Sequence, residues 1–157
     1  MKPFLALAAV AVGALIATQA QAYKVEEGGI TAPEVAKVLQ DKGYKAIVKT
    51  DDDGDPEVDT AVDGTDVVIF FYGCNHGPRC PSITFQSDFD STHGVTAEDV
   101  NIWNADKRFI KGWLNTDKVL YGEMDVDVSH GFSTENLAEY VDTWAAFLPE
   151  FKQKFGY

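Results

Sequence analysis

Three residues in the chain have types and spacing that suggest chemistry: Cys74, His76 and Cys80, in the pattern Cys-x-His-x-x-x-Cys. Thiolate and imidazole are soft or borderline ligands, so this trio could begin a zinc or copper site. The pattern offers no fourth ligand. The same two cysteines, the only two in the chain, could instead form a disulfide around five residues, contributing roughly 2 kcal/mol in the chain-entropy account. In an exported chain the disulfide is the simpler reading, and we expect a Cys74–Cys80 bridge. A second cluster is Asp51-Asp52-Asp53-Gly54-Asp55, which raises the question of calcium. Setting Asp51, Asp53 and Asp55 at the first, third and fifth positions of an EF-hand loop puts Pro56 where glycine belongs. It also puts Val62 where the bidentate glutamate belongs. Asp and Gly are ordinary turn residues, and a turn is the expectation here. His76, His93 and His130 all fall between predicted elements, where an imidazole could titrate. No Gly-x-Ser-x-Gly, His-Glu-x-x-His or phosphate-loop pattern accompanies them. The chain is therefore expected to have no catalytic residues, no cofactor and no resident metal. Metal binding at Cys74/His76/Cys80 or in the Asp51–Asp55 loop is the alternative.

The elements that would position these residues can be read in order. Thr31 and Glu34 have capping-box spacing, Val35, Val38 and Leu39 form a helical stripe, and Gly43 can end the helix. Residues 44–50 and 57–62 read as strands around the aspartate turn. Val67 to Tyr72 is a continuous apolar run, read as a strand covered on both faces at the centre of a sheet. Ile83 and Phe85 alternate with polar residues as its hairpin partner would. Residues 87–94 read as loop. Thr96 and Asp99 repeat the capping box, with Val100 and Trp103 facing inward. Residues 109–114 and 119–128 form a third hairpin. In its last strand Met124, Val126 and Val128 occupy one face and Glu123, Asp125 and Asp127 the other, so one sheet face is wet and acidic. Ser133 or Thr134 caps a final helix with the stripe Leu137, Tyr140, Val141, Trp144, Leu148, Phe151 and Phe155. Pro149 should kink that helix or split off its last turn. Thr31-Ala-x-Glu-Val35 and Thr96-Ala-x-Asp-Val100 echo one another, each starting a helix that leads into a hairpin. The fold expected is α+β: an antiparallel β-sheet of about five to six strands with three helices mainly on one face.

The N-terminus places this domain in a compartment. Lys2 precedes an uncharged apolar run from Phe4 to Ala17, and Ala20-Gln21-Ala22 fits a small-x-small cleavage site. Residues 1–22 are therefore expected to be a cleaved signal peptide, with the cut between Ala22 and Tyr23. The run is shorter than the about 20 apolar residues a membrane span needs. Residues 23–29 should be a flexible N-terminal segment and residues 30–157 a single domain. The formal charge of −12 becomes −13 once Lys2 is removed, which disfavours nucleic acid and anionic membranes.

Several pieces together resemble the YbjN-domain family in an exported form. They are Ile30-Thr31 with the first capped helix, Asp53-Gly54-Asp55-Pro56, and Phe70-Phe71-Tyr72-Gly73-Cys74 with Cys80-x-Ser82-Ile83-x-Phe85. Ile102-Trp103-Asn104 before Lys107-Arg108-Phe109, and Glu123-Met124-Asp125-Val126, complete the set. The resemblance spans residues 30–151. It implies a sensory-transduction regulator with a fold similar to the type III secretion chaperones, and it brings no catalytic residues. The expected function is a non-catalytic periplasmic or secreted module, protein-binding, chaperone-like or regulatory. Its partner would be another protein or, in a homodimer, a second copy, with no membrane insertion after cleavage.

Overall fold

A computed structural model of the chain describes residues 23–157. The expected signal segment, residues 1–22, and the cleavage junction at Ala22 lie outside the described residues. The elements run α1 (Ala32–Asp41), β1 (Ala46–Thr50), β2 (Pro56–Val62), β3 (Thr65–Tyr72), β4 (Ser82–Phe89), a 3-10 turn (Ser91–His93), α2 (Ala97–Asp106), β5 (Lys111–Leu114), β6 (Leu120–Asp127) and α3 (Thr134–Phe155). The six strands form one antiparallel sheet in the order β1-β2-β3-β4-β6-β5. This is the α+β architecture expected from the sequence. The hairpin carrying the cysteines is central, and the two helix-plus-hairpin units flank it with β1 and β5 at the edges.

Local chemistry sets the helix starts. Thr31, Thr96 and Ser133 each accept a hydrogen bond from the third helical N–H, and Glu34, Asp99 and Asn136 each reach back to the cap N–H. These reciprocal bonds satisfy donors that a helix end would otherwise leave orphaned. Gly43 and Gly156 follow α1 and α3 with φ of 90° and 88°, the left-handed conformation that glycine adopts most cheaply.

All three helices pack on one face. On the sheet that face consists of Val58 and Val62, Val67, Ile69 and Phe71, Ile83, Phe85 and Phe89, and Leu120, Met124 and Val126, all buried. Helix α3 meets it with Leu137, Val141, Trp144, Leu148, Phe151 and Phe155. Trp144 is fully buried and its ring lies 5.8 Å from Phe85. Phe151 sits over a gap made by two glycines. Gly112 and Gly122 face each other across β5 and β6, and a Cβ on either would lie 3.2 or 3.1 Å from the Phe151 ring. Trp103 closes the other side of that ring edge-on at 5.2 Å, its indole donating to Ile110 O at 2.6 Å. Asn104 brackets Gly112, donating to its carbonyl at 3.0 Å and accepting from its N–H at 2.8 Å. The β5 edge is thereby partly capped by a side chain.

The structure bears on four expectations. Of the two outcomes expected at Pro149, a kink or a split, the split does not occur: α3 runs unbroken from Thr134 to Phe155, and Phe151 and Phe155 beyond the proline are both buried. Strand β4 runs to Phe89 rather than ending before residue 87. Phe89 pairs with Leu120, and the Ser87 hydroxyl donates to Asp66 O at 2.7 Å. Strand β3 is fully covered on one face only: Val68 and Phe70 are half-buried and Tyr72 is exposed. Residues 23–29, expected to be a flexible segment, meet the domain at Val25 and Tyr23. Val25 is buried and donates its N–H to Phe132 O at 2.8 Å, while Thr134 donates to Tyr23 O at 3.0 Å.

Two substitutions test the aromatic slot. Phe151→Ala should destabilise the fold by about 3–5 kcal/mol through lost burial and the cavity left behind. Gly122→Leu should destabilise by about 1–3 kcal/mol by overpacking against Phe151. In the double variant the leucine can occupy the vacated ring space, so the loss should fall short of the sum of the two. Urea unfolding midpoints with unchanged slopes would show this.

Candidate functional site

The predicted site residues can now be placed. Cys74 and Cys80 are bonded to each other, closing the β3–β4 loop. Gly77 donates to Cys74 O at 2.8 Å, and Asn75 and His76 take φ of 49° and 63°. These left-handed conformations are strained for residues with side chains, and the bridge closes the loop that holds them. His76 is exposed. With both sulfurs in the bridge, the Cys-x-His-x-x-x-Cys metal reading loses two of its three ligands. The Asp51–Asp55 turn directs its chemistry at itself: Asp51 Oδ1 accepts from Asp53 N at 3.0 Å and from Asp55 N at 2.8 Å. Among the described residues, no group of three or more His, Cys, Asp or Glu is placed to hold a metal.

The three histidines occupy separate settings. His93 packs against Tyr157 with its ring tilted, centroids 4.4 Å apart. His130 belongs to a chain that contains the residue types of a hydrolytic triad in a different wiring. Its Nδ1 lies 2.9 Å from Ser129 Oγ, and Ser129 Oγ donates to Asp127 Oδ1 at 2.5 Å. In a working triad the histidine stands between serine and acid, as base for one and oriented by the other. Here serine stands in the middle and its proton faces the carboxylate. Asp127 serves instead as a turn acceptor. Hydrogen bonds from the Ser129 hydroxyl, then from its N–H, hold the Asp127 carboxyl below its ordinary value of 3.8.

The bridged loop has a structural partner that sequence reading missed. Ile30 and Cys80 exchange both backbone hydrogen bonds at 3.0 Å, so the loop receives the N-terminal strap as a short added strand. Arg79 locks the junction. Its guanidinium donates bidentately to Glu34 at 3.1 Å and 3.1 Å, to Gly29 O at 2.8 Å, and pairs with Glu26 at 3.1 Å. Glu34 thus caps α1 and anchors the loop with the same carboxylate. Burial pushes the Glu34 carboxyl up, but the Thr31 N–H and the Arg79 guanidinium outweigh it and leave the group below its ordinary 4.5. Gly29 passes directly beneath the loop: a Cβ there would sit 2.0 Å from Cys80 O. The signals were Arg79 beside a cysteine and a pair of glycines before Ile30.

The larger surface is the outer face of the sheet, opposite the helices. Strand alternation puts Ile47 and Lys49 of β1 there, with Glu57 and Asp59 of β2 and Asp66, Val68, Phe70 and Tyr72 of β3. Strand β4 adds Ser82, Thr84, Gln86 and Asp88, and β6 and β5 add Tyr121, Glu123, Asp125, Asp127, Lys111 and Trp113. Seven carboxylates against two lysines leave this face strongly acidic. Lys49 is paired with Asp59. Among the described residues, Glu123, Asp125 and Asp127 make no ion pair. Their partners are neutral: Thr84 donates to Asp125 at 2.6 Å and Gln86 to Glu123 at 2.6 Å. Aromatic rings flank the acids. Trp113 stacks flat on Tyr121 with centroids 4.3 Å apart and is 40% exposed, while Tyr72 on the other side is 51% exposed. Burial, and then the charges of Glu123, Asp125 and Asp51, raise the Tyr72 phenol above its ordinary 10.0. Its ring is therefore within electrostatic reach of the β6 acids.

Two outcomes follow for the corner. Gly29→Ala should detach the strap and lower stability by about 1–3 kcal/mol, because the backbone oxygen it meets cannot rotate away; amide exchange at Val25 and Ile30 would report the detachment. The Glu34–Arg79 lock should also make stability depend on pH. A carboxylate lowered by folding contributes above its unfolded value and loses that contribution as pH falls through the folded one. The melting temperature should therefore begin to drop near the ordinary 4.5 and continue falling below it. Glu34→Gln should flatten part of that decline.

The sequence profile of the YbjN family, described as "Putative bacterial sensory transduction regulator", matches residues 31–156. No curated protein matches the chain. The matched stretch starts at the α1 cap and ends at the glycine closing α3, so it takes in every helix and strand, the bridged loop and the outer sheet face. The chain belongs to the YbjN family.

Proposed function

We propose that this chain is a non-catalytic binding module of the cell envelope, periplasmic or secreted, which docks a partner protein on the outer face of its sheet and acts by regulation or as a chaperone. The observation that carries this reading is the one-sided packing of the helices. The other face is left with Ile47, Tyr72 and Trp113 exposed among carboxylates. Large apolar side chains ringed by polar groups on an uncovered sheet are what a protein interface needs. The family description is of a regulator and names no reaction. Two of the histidines fit the same reading: His93 packs against Tyr157 and His130 meets Ser129.

The export part of the proposal rests on the Lys2-led apolar run, the Ala20-Gln21-Ala22 pattern and the bridged cysteines, which suit an oxidising compartment. No helix among the described residues is long and apolar enough to cross a membrane.

Affinity capture from envelope extract of the native host tests the proposal. The wild-type protein should retain a saturable partner that a Tyr72→Ser/Trp113→Ser variant with an unchanged melting temperature releases. Absence of any saturable partner, or equal retention by the variant, would count against it.

A further inference from the structure

We propose that the partner segment docked on the outer face is cationic and extended, with lysine or arginine at every second residue aligned along β6. This deepens the binding-module reading and rests on it. Glu123, Asp125 and Asp127 stand on the same side of one strand, so neighbouring carboxylates are spaced by two residues, about 6.8 Å at the rise of an antiparallel strand. An extended peptide repeats its same-side side chains with that spacing. Among the described residues the three acids have no cation of their own, and only hydroxyl, amide or backbone donors reach them. Lys111 faces Glu123 in register without pairing to it. Each carboxylate therefore keeps acceptor capacity for an ammonium or guanidinium group.

The aromatic margins favour the same occupant. Tyr72 on one side and the Trp113–Tyr121 stack on the other place exposed aromatic rings at the margins of the acidic row, and cations are attracted to aromatic rings. The residues between the strands suit a segment that alternates charge with apolar bulk. Side chains pointing away from β6 would meet Val68 and Phe70, half-buried on β3, across the short Ser82 and Thr84 of β4. Negative potential over the whole face would hasten the encounter and make it sensitive to salt.

The test uses the mature protein and three end-blocked synthetic peptides as probes. One alternates lysine with valine, one has the same composition with its lysines contiguous, and one alternates glutamate with valine. Calorimetry gives affinity. Trp113 fluorescence gives location, because Trp103 and Trp144 are buried. The alternating lysine peptide should bind about tenfold tighter than its contiguous isomer, should weaken with salt, and should shift the Trp113 emission. Glu123→Gln/Asp125→Asn should lose about tenfold or more. Glu98→Gln/Glu139→Gln, which removes the same charge from the helix side, should leave binding nearly unchanged.

Equal binding of the two lysine peptides, equal losses in the two charge variants, or no binding of any peptide would overturn the proposal. The underlying reading fails separately. If Glu123→Gln/Asp125→Asn still retains a saturable envelope partner that Tyr72→Ser/Trp113→Ser releases, the cationic segment is wrong and the docking face stands.

Discussion

Burial of one aromatic stripe against one face of the sheet is the constraint on which the rest of this structure depends. Helix α3 carries Trp144, Leu148, Phe151 and Phe155 on a single side, and the inner sheet face is the surface that removes them from water. At about 1.5–3 kcal/mol for each fully buried large apolar side chain, that stripe outweighs the unfavourable proline within it. It also accounts for the glycines of β5 and β6: a ring the size of phenylalanine can lie close to paired strands where Cβ atoms are missing. Among the described residues the fully buried Trp144 has no hydrogen-bond partner for its indole N–H; its ring packs on Phe85 with centroids 5.8 Å apart.

That packing determines what is left for function. A six-stranded sheet with all its helices on one side presents the other side to solvent. The sequence meets that exposure with carboxylates and short polar residues over most of the face and with a few aromatic groups at its margins. The balance keeps the sheet soluble and still leaves apolar contact area that a partner could cover. The bridged loop has a different role. The disulfide, the Ile30–Cys80 exchange and the Arg79–Glu34 pair join three separate segments at one corner. They brace the end of β3 where Tyr72 emerges onto the outer face.

The sequence made much of this visible through periodicity. Alternation along β6 separated Met124, Val126 and Val128 from Glu123, Asp125 and Asp127, and the structure puts those sets on opposite faces. Capping boxes located the starts of α1 and α2, and a Ser133 or Thr134 cap placed the start of α3 to within a residue, because these signals lie within four residues. Three features escaped local reading for one shared reason. Phe89 reads as loop until Leu120 is seen opposite it, Pro149 allows a split helix until Phe151 and Phe155 are seen buried, and residues 23–29 show no partner until Val25 is seen donating to Phe132. Each is decided by a partner far away along the chain.

Sequence alone thus determined the element types, the helix starts, the acidity of one sheet face and the pairing expected of the two cysteines. These follow from spacing, side-chain type and count, which need no knowledge of neighbours. Only the tertiary structure decided the strand order, the glycine slot for Phe151, the double duty of Glu34 and the neutral partners that the β6 acids take among the described residues. Those depend on which distant residues share a few ångströms of space, and pairing across the sheet and packing in the core establish that together.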